Sequence, residues 1–168
     1  EELARRFLGV ARNETERMIR LVNDLLQLSR LDSRQTALRK EAVDLAEMLE
    51  EVADRFSVQL RRKKIGISIH TPGNIVPVPV DPDQIDQVLD NLVSNAIKYT
   101  PDGGSIEIGL RQRGNEAVEI YVKDTGIGIP KKDLDRIFER FYRVDKARSR
   151  SMGGTGLGLS IAREIVKA

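Results

Sequence analysis

An α+β fold led by one long amphipathic helix is predicted for this sequence, and three observations predict it. Apolar residues recur at helical spacing near the start, again between Leu45 and Leu60, and again between Ile85 and Ala96. Strict alternation at Ile65, Ile67 and Ile69, at Val76, Val78 and Val80, and at Val118, Ile120 and Val122 marks strands. The strand beginning at Ile106 meets the next across Gly114-Asn115. Consecutive strands therefore join by a hairpin, not by the regular crossovers of a parallel α/β sheet.

The first helix spans residues 1 to about 31. Leu3, Phe7, Val10, Met18, Val22, Leu25 and Leu28 make its stripe, widened by Ile19, Leu21 and Leu26, while Arg17, Arg20 and Asp24 fill the other side. So broad an apolar face needs a partner helix, and intermolecular pairing is favoured over folding back on its own domain because residues 33–43 read as a polar linker. A second helix carries Leu45, Leu49, Val52, Phe56 and Leu60 on one face. Asp81-Pro82 then sets a helix start, aspartate as cap and proline at the first position, with Ile85, Val88, Leu89, Leu92, Val93 and Ala96 inward. Pro101-Asp102-Gly103-Gly104 is a turn into the hairpin strands, the second of which ends at Asp124. Beyond it come a glycine-punctuated loop, a short helix around Leu134 to Phe141, a basic loop, and a closing helix from about Gly156.

Composition narrows the function. With 40% hydrophobic and 32% charged residues the chain is of ordinary globular type, and no apolar run reaches the ~18 residues of a membrane helix. The absence of cysteine removes disulfides and thiolate metal sites and suits a cytoplasmic setting. A net charge of +2, no Trp and only seven Phe or Tyr residues argue against a nucleic-acid partner.

Three segments carry chemistry. Asn91, Asn95 and Lys98, spaced i, i+4, i+7, project from one face of an otherwise apolar helix. Asn95 can offer an amide oxygen to a hard cation such as magnesium, and Lys98 can meet a phosphate; an exposed polar face is the alternative. Asp124-Thr125-Gly126-Ile127-Gly128-Ile129-Pro130 places a carboxylate at a strand end, able to accept from an adenine amino group, before glycines that admit a planar ring. Ordinary turn glycines are the alternative there. Gly153 to Leu159 precedes an apolar helix, whose first amides suit a phosphate. It is neither a Rossmann fingerprint nor a Walker loop. Upstream, Arg140, Arg143, Lys146, Arg148 and Arg150 are either a solvated charge run or a lid closing over a polyphosphate.

In their order these segments resemble the ATP-binding domain shared by histidine kinases, gyrase, Hsp90 and MutL-type proteins. NLVSNAIKYT (91–100), DTGIGIP (124–130), FERFYR (138–143) and GGTGLGLSIA (153–162) are similar to the asparagine box, first glycine box, phenylalanine box and second glycine box of bacterial sensor histidine kinases. MIRLVNDLLQLSRLDS (18–33) resembles the second helix of their dimerisation hairpin. The resemblance runs along essentially the whole chain. It implies a two-layer sandwich of a mixed sheet and helices, with residues 1–32 the second hairpin helix, 33–43 a linker and 44–168 the catalytic ATP-binding domain. It implies ATP and Mg2+ as cofactors: Asn95 on the metal, Asn91 and Lys98 at the phosphates, and Tyr99 near the adenine. Asp124 would read the adenine amino group, with Gly126, Gly128 and Ile129 shaping that end. Arg140 would reach the terminal phosphate, Arg143 and Lys146 would line the lid, and Thr155, Gly156, Leu157, Gly158 and Leu159 would supply amides.

Asn91 and Arg140 are the residues the resemblance makes catalytic. The ATP hydrolases of the superfamily carry a glutamate where Asn91 stands. An amide is no general base near neutral pH, whereas an imidazole nucleophile has a free lone pair and needs none. Asn91 thus favours transfer of the γ-phosphate to a histidine, for relay to a response-regulator aspartate, over a gyrase-type hydrolase or a non-catalytic nucleotide-binding module. Asp86 and Asp90 nearby could mimic a base, which leaves the hydrolase open.

The chain departs from the family at two points. Its single histidine, His70, followed by Thr71 at a strand end, reads as an ordinary strand residue and not a phosphoacceptor. The acceptor helix and the last strands of the fold are expected outside this sequence. So are a homodimer through the complete hairpin and a membrane anchor.

Overall fold

The computed structural model describes residues 1–32, 38–73, 77–114, 117–144 and 154–168. Helix α1 (Glu2–Asp32) comes first, then strand β1 (Glu41–Val43), helices α2 (Leu45–Arg55) and α3 (Ser57–Lys63), and strands β2 (Gly66–His70) and β3 (Val78–Val80). Helix α4 (Pro82–Tyr99), strands β4 (Ser105–Arg113) and β5 (Ala117–Asp124), a 3-10 turn (Lys131–Asp133) and helix α5 (Gly158–Lys167) complete the order. Leu38–Gly128 forms one compact unit, and α1 with the described residues after Gly128 forms a second.

In the first unit the sheet is mixed, as expected. β2 runs parallel to β4, and β4 pairs antiparallel with β5 through the hairpin. Ile69, Ile108 and Val122 fall in one row across it. α2 and α4 pack on each other and on these strands, giving two layers. Leu49, Val52, Leu89, Val93 and Ile108 are fully buried between them. Ile97, which the apolar pattern did not single out, is buried too, whereas Leu92 is only half-buried. Leu89→Ala would leave a cavity at the centre of this layer. It is expected to cost about 2–5 kcal/mol, read as a lower urea midpoint at unchanged slope.

The helix starts follow the sequence. Asp44 caps α2, its Oδ1 accepting from the Ala46 amide at 2.8 Å, and Asp81 caps α4 with Pro82 next. Asp81 does a second thing that sequence could not show: its Oδ2 accepts from the Arg39 amide at 2.9 Å, tying the approach to β1 to the start of α4.

Three local expectations are corrected. Residues 41–43, read as the end of the linker, are strand β1, which pairs antiparallel with β3 from Glu41↔Val80 to Val43↔Val78. This ladder satisfies backbone groups that a solvated linker would leave to water. The helix expected to run through Leu60 breaks at Phe56 (φ −90, ψ 0), and both Phe56, at the break, and Leu60, beyond it, lie in the core. Residues 134–141 are successive turns, not a helix: the amides of Arg136, Glu139 and Tyr142 bond back three residues, and Phe141 at φ 64 stops any continuation. Val76 lies outside the described residues, so the strand reading there rests on Val78 and Val80.

The second unit holds α1 against α5. Of the apolar stripe on α1, Leu28 is buried, while Leu3, Phe7, Val10, Met18, Val22 and Leu25 stay exposed. Leu157, Ile161, Ala162 and Ile165 are buried along α5 and its entry. No helix among the described residues is long and apolar enough to cross a membrane.

Candidate nucleotide site

One group of candidate residues lies on the C-terminal turns of α4. Asn91, Asn95, Lys98 and Tyr99 are all half-buried there. The Asn91 Nδ2 is buried with no hydrogen-bond partner. A buried donor left unpaired costs about 1–3 kcal/mol, so this amide calls for an acceptor such as a phosphate oxygen or a metal-bound water. The Lys98 Nζ lies 5.1 Å from the centre of the Tyr99 ring.

The end of α4 is held in place by a residue with no signal in the sequence. Lys63 Nζ donates to the carbonyls of Ile97 and Thr100, each at 2.6 Å, meeting the open carbonyls and negative end of the helix. This contact spans 34 and 37 residues, and a charge run such as RRKK gives no hint of it.

The Asp124 turn is fastened to the same helix end. The Ile127 amide donates to the Tyr99 carbonyl at 3.3 Å, and a Cβ on Gly126 would stand 2.8 Å from that carbonyl oxygen. Glycine at 126 is therefore required by backbone approach, while Gly128 is required by its φ of 69. Thr125, to which spacing and motif assign no role, accepts from the Ser105 amide through Oγ1 at 2.9 Å and pins the turn to the start of β4. Asp124 Oδ1 accepts from the Gly126 amide at 2.7 Å, which orients the exposed carboxylate. Its Oδ2 makes no hydrogen bond among the described residues and remains an acceptor for an amino group.

Asp86 and Asp90 belong to a different arrangement. Arg55 of α2 holds Asp86 with two hydrogen bonds, one of 2.8 Å, and its Nε sits 3.3 Å from Asp90 Oδ1. Burial pushes the Asp90 carboxyl above the usual carboxylate range; the Arg55 guanidinium opposes the rise and the Asp86 charge adds to it. A carboxyl raised in the fold destabilises the folded chain once the pH exceeds its unfolded pKa, and protonation relieves that cost. Asp90→Asn is therefore expected to leave the melting temperature at neutral pH equal or higher, with nucleotide affinity unchanged. ATP turnover that vanished in this variant would instead mark Asp90 as a general base.

The remaining candidates lie in the second unit. Arg140 is exposed and Arg143 half-buried, Ile129 is 45% exposed, and Lys146 with Arg148 and Arg150 lies outside the described residues. Asp133, buried, accepts from the Tyr142 hydroxyl at 2.6 Å, and the Arg136 guanidinium stacks 4.2 Å from the Tyr142 ring centre. These contacts give the phenylalanine box a fixed shape without a helix. Phe141 donates its amide to the Gly156 carbonyl at 2.9 Å, and a Cβ on Gly156 (φ 79) would crowd the Phe141 backbone at 3.0 Å. The phenylalanine box and the second glycine box thus meet through backbone. Leu157 is fully buried, and the amides of Gly158 and Leu159 open α5.

Thr155 brings in a residue that in the sequence is only part of the polar side of α1. Its hydroxyl donates to Asp24 Oδ2 at 2.7 Å. Burial raises the Asp24 carboxyl, with the Thr155 hydrogen bond and Arg20 opposing.

Residues 80–168 match the family described as histidine kinase-, DNA gyrase B-, and HSP90-like ATPase. The chain belongs to this family. Sensor histidine kinase WalK of Bacillus subtilis (strain 168) is 48% identical over 169 residues, covering 100% of this chain. The chain spans only 28% of that relative's length. The stretch RVDKARSRSMGGTGLGL (143–159) by itself points to the same WalK (YycG) kinases. Among solved structures, full-length ShkA in complex with AMPPNP is similar at a TM-score of 0.83 and 28% identity, over 97% of this chain and 33% of that one. ThkA in complex with the response regulator TrrA is similar at 0.77 and 28%, over 98% of this chain and 44% of that one. Likeness in sequence and fold together places this member of the ATPase family with the sensor histidine kinases.

Proposed function

We propose that this chain is the ATP-binding catalytic part of a sensor protein-histidine kinase. The observation that carries the reading is the junction of α4 with the Asp124 turn. There an unpaired buried amide at Asn91 and a free carboxylate oxygen at Asp124 sit on elements fastened to each other through Tyr99. Asn91 Nδ2 fits a phosphate oxygen or a water on magnesium, Asn95 would hold the ion, and Lys98 would neutralise phosphate charge. Tyr99 and Ile129 would pack near the adenine, which Asp124 would read. Arg140, Arg143 and Lys146 would serve the phosphates, with Thr155, Gly156, Leu157, Gly158 and Leu159 presenting backbone amides. When bound, magnesium would neutralise charge on the phosphates.

In the transfer, an imidazole nitrogen forms a bond to the γ-phosphorus. The bond from that phosphorus to the bridging oxygen breaks, ADP leaves, and the imidazole proton passes to solvent. No general base is needed, which suits an amide at Asn91. His70, exposed on β2, is not the acceptor in this reading; a hairpin helix outside this sequence supplies it. Residues 1–32 would be the second hairpin helix, 33–40 the linker and 41–168 the catalytic domain, with β1 as its first strand. The exposed stripe of α1 would be covered in a homodimer of complete hairpins, in a parent that is membrane-anchored with this part in the cytoplasm. A response-regulator receiver domain would take the phosphoryl group, a partner of the kind that ThkA meets in TrrA.

The test supplies the missing acceptor. The chain is incubated with γ-labelled ATP, magnesium and a separately produced acceptor hairpin. Label is expected on the hairpin histidine as an acid-labile, base-stable phosphoramidate. Firm binding of ATP with no label transferred would reduce the chain to a nucleotide-binding module and end the kinase reading.

A further inference from the structure

The contact between α1 and the second glycine box has a chemistry of its own, and its bearing on nucleotide rests on Thr155 to Leu159 being the phosphate turn of the proposed site. The Thr155 hydroxyl has one proton, and it goes to Asp24 Oδ2 at 2.7 Å. The same oxygen accepts from the Leu157 amide at 3.3 Å. An amide that a phosphate would use is thereby met inside the turn, by a hydroxyl whose orientation a carboxylate on α1 dictates. Gly156, crowded against the Phe141 backbone, fixes the path of the main chain, so the Thr155 side chain is the part free to rotate. One helical turn beyond Asp24, Leu28 is buried, and α1 packs with α5. The charge of Asp24 acts in the same direction as the geometry. A carboxylate beside a turn that receives polyphosphate repels it, and the Arg20 charge offsets Asp24 in part.

We propose that Asp24 is a latch on the phosphate turn: it holds Thr155 in the orientation that caps the Leu157 amide, so docking of α1 and binding of nucleotide oppose each other. Such coupling is reciprocal. Nucleotide loosens α1 from the turn by the same factor as α1 weakens nucleotide. Movement of α1 is thereby transmitted to the nucleotide site through one side chain.

Calorimetric titration of AMPPNP with magnesium into the chain and into Asp24→Ala tests this. Alanine suits a helix, so α1 is expected to persist. The variant is expected to bind about fivefold or more tightly. The same change made in a Thr155→Val background is expected to add nothing, because the hydroxyl through which Asp24 acts is gone. Without nucleotide, amide hydrogen exchange at Leu157 is expected to quicken in Asp24→Ala, while exchange in the α4 core stays as it was. Equal or weaker binding with unchanged exchange at Leu157 would overturn the latch and leave the nucleotide site standing. No binding by either chain would overturn the site reading, and the latch with it.

Discussion

Asn95→Ala is expected to abolish the magnesium-dependent share of nucleotide affinity, a loss of about 10- to 100-fold, the range that removing one group from a metal's surroundings gives. The size reflects how little else the chain offers a cation. Among the described residues there is no cluster of three or more His, Cys, Asp or Glu side chains that could hold a metal. In the proposed site magnesium would depend on phosphate oxygens, water and a neutral amide, a ligand set that suits it in nucleotide sites. Asn95 stands one turn from Asn91 on α4, where the unpaired Nδ2 already marks a place for an anion or its water. Alanine is the strongest helix former, so α4 should hold and the melting temperature should not fall. Calorimetric titration of a non-hydrolysable ATP analogue with and without magnesium separates the outcomes. An equal loss in both conditions would show that Asn95 touches the nucleotide itself and not the ion.

Gly126→Val is expected to remove nucleotide binding and to lower stability by about 1–3 kcal/mol, the usual cost of forcing atoms into a packed place. The added Cβ would stand 2.5 Å from Asp124 Oδ1 and 2.8 Å from the Tyr99 carbonyl oxygen. Neither can yield without consequence. Moving the carboxylate breaks its bond to the 126 amide, which aims it; moving Tyr99 opens the joint between α4 and the turn. Chemical denaturation and the same titration measure the two effects. A variant of lowered stability that still bound ATP as well as the parent would show that the Asp124 turn is scaffold and not site.

The elements closest to the proposed chemistry were legible because each imposes a local rule. Asp81-Pro82 can hardly be anything but a helix start, and α4 begins there. Asp124 ends β5 where alternation ends, and the positive φ of Gly128 and Gly156 matches glycines that the motifs require. Residues 134–141 misled because their apolar spacing imitates a helix, while the backbone closes on itself three residues at a time. Phe56 misled in the opposite way. Its side chain obeys helical spacing, but α2 ends there, and a second short helix carries Leu60 into the same core.

What the sequence alone determined is everything carried by neighbours along the chain: periodicity, caps, hairpin, and the order of four motifs that fixes the family. What only the tertiary structure decided are the contacts between residues far apart in number. Lys63 on the carbonyls that end α4, Arg55 on Asp86 and Asp90, Thr125 on Ser105 and Asp24 on Thr155 are all of this kind. Each is a polar side chain that would be equally soluble if left in water. Composition and spacing are the same whether such a group is solvated or paired, and only a partner brought close by the packing of apolar neighbours tells the two apart.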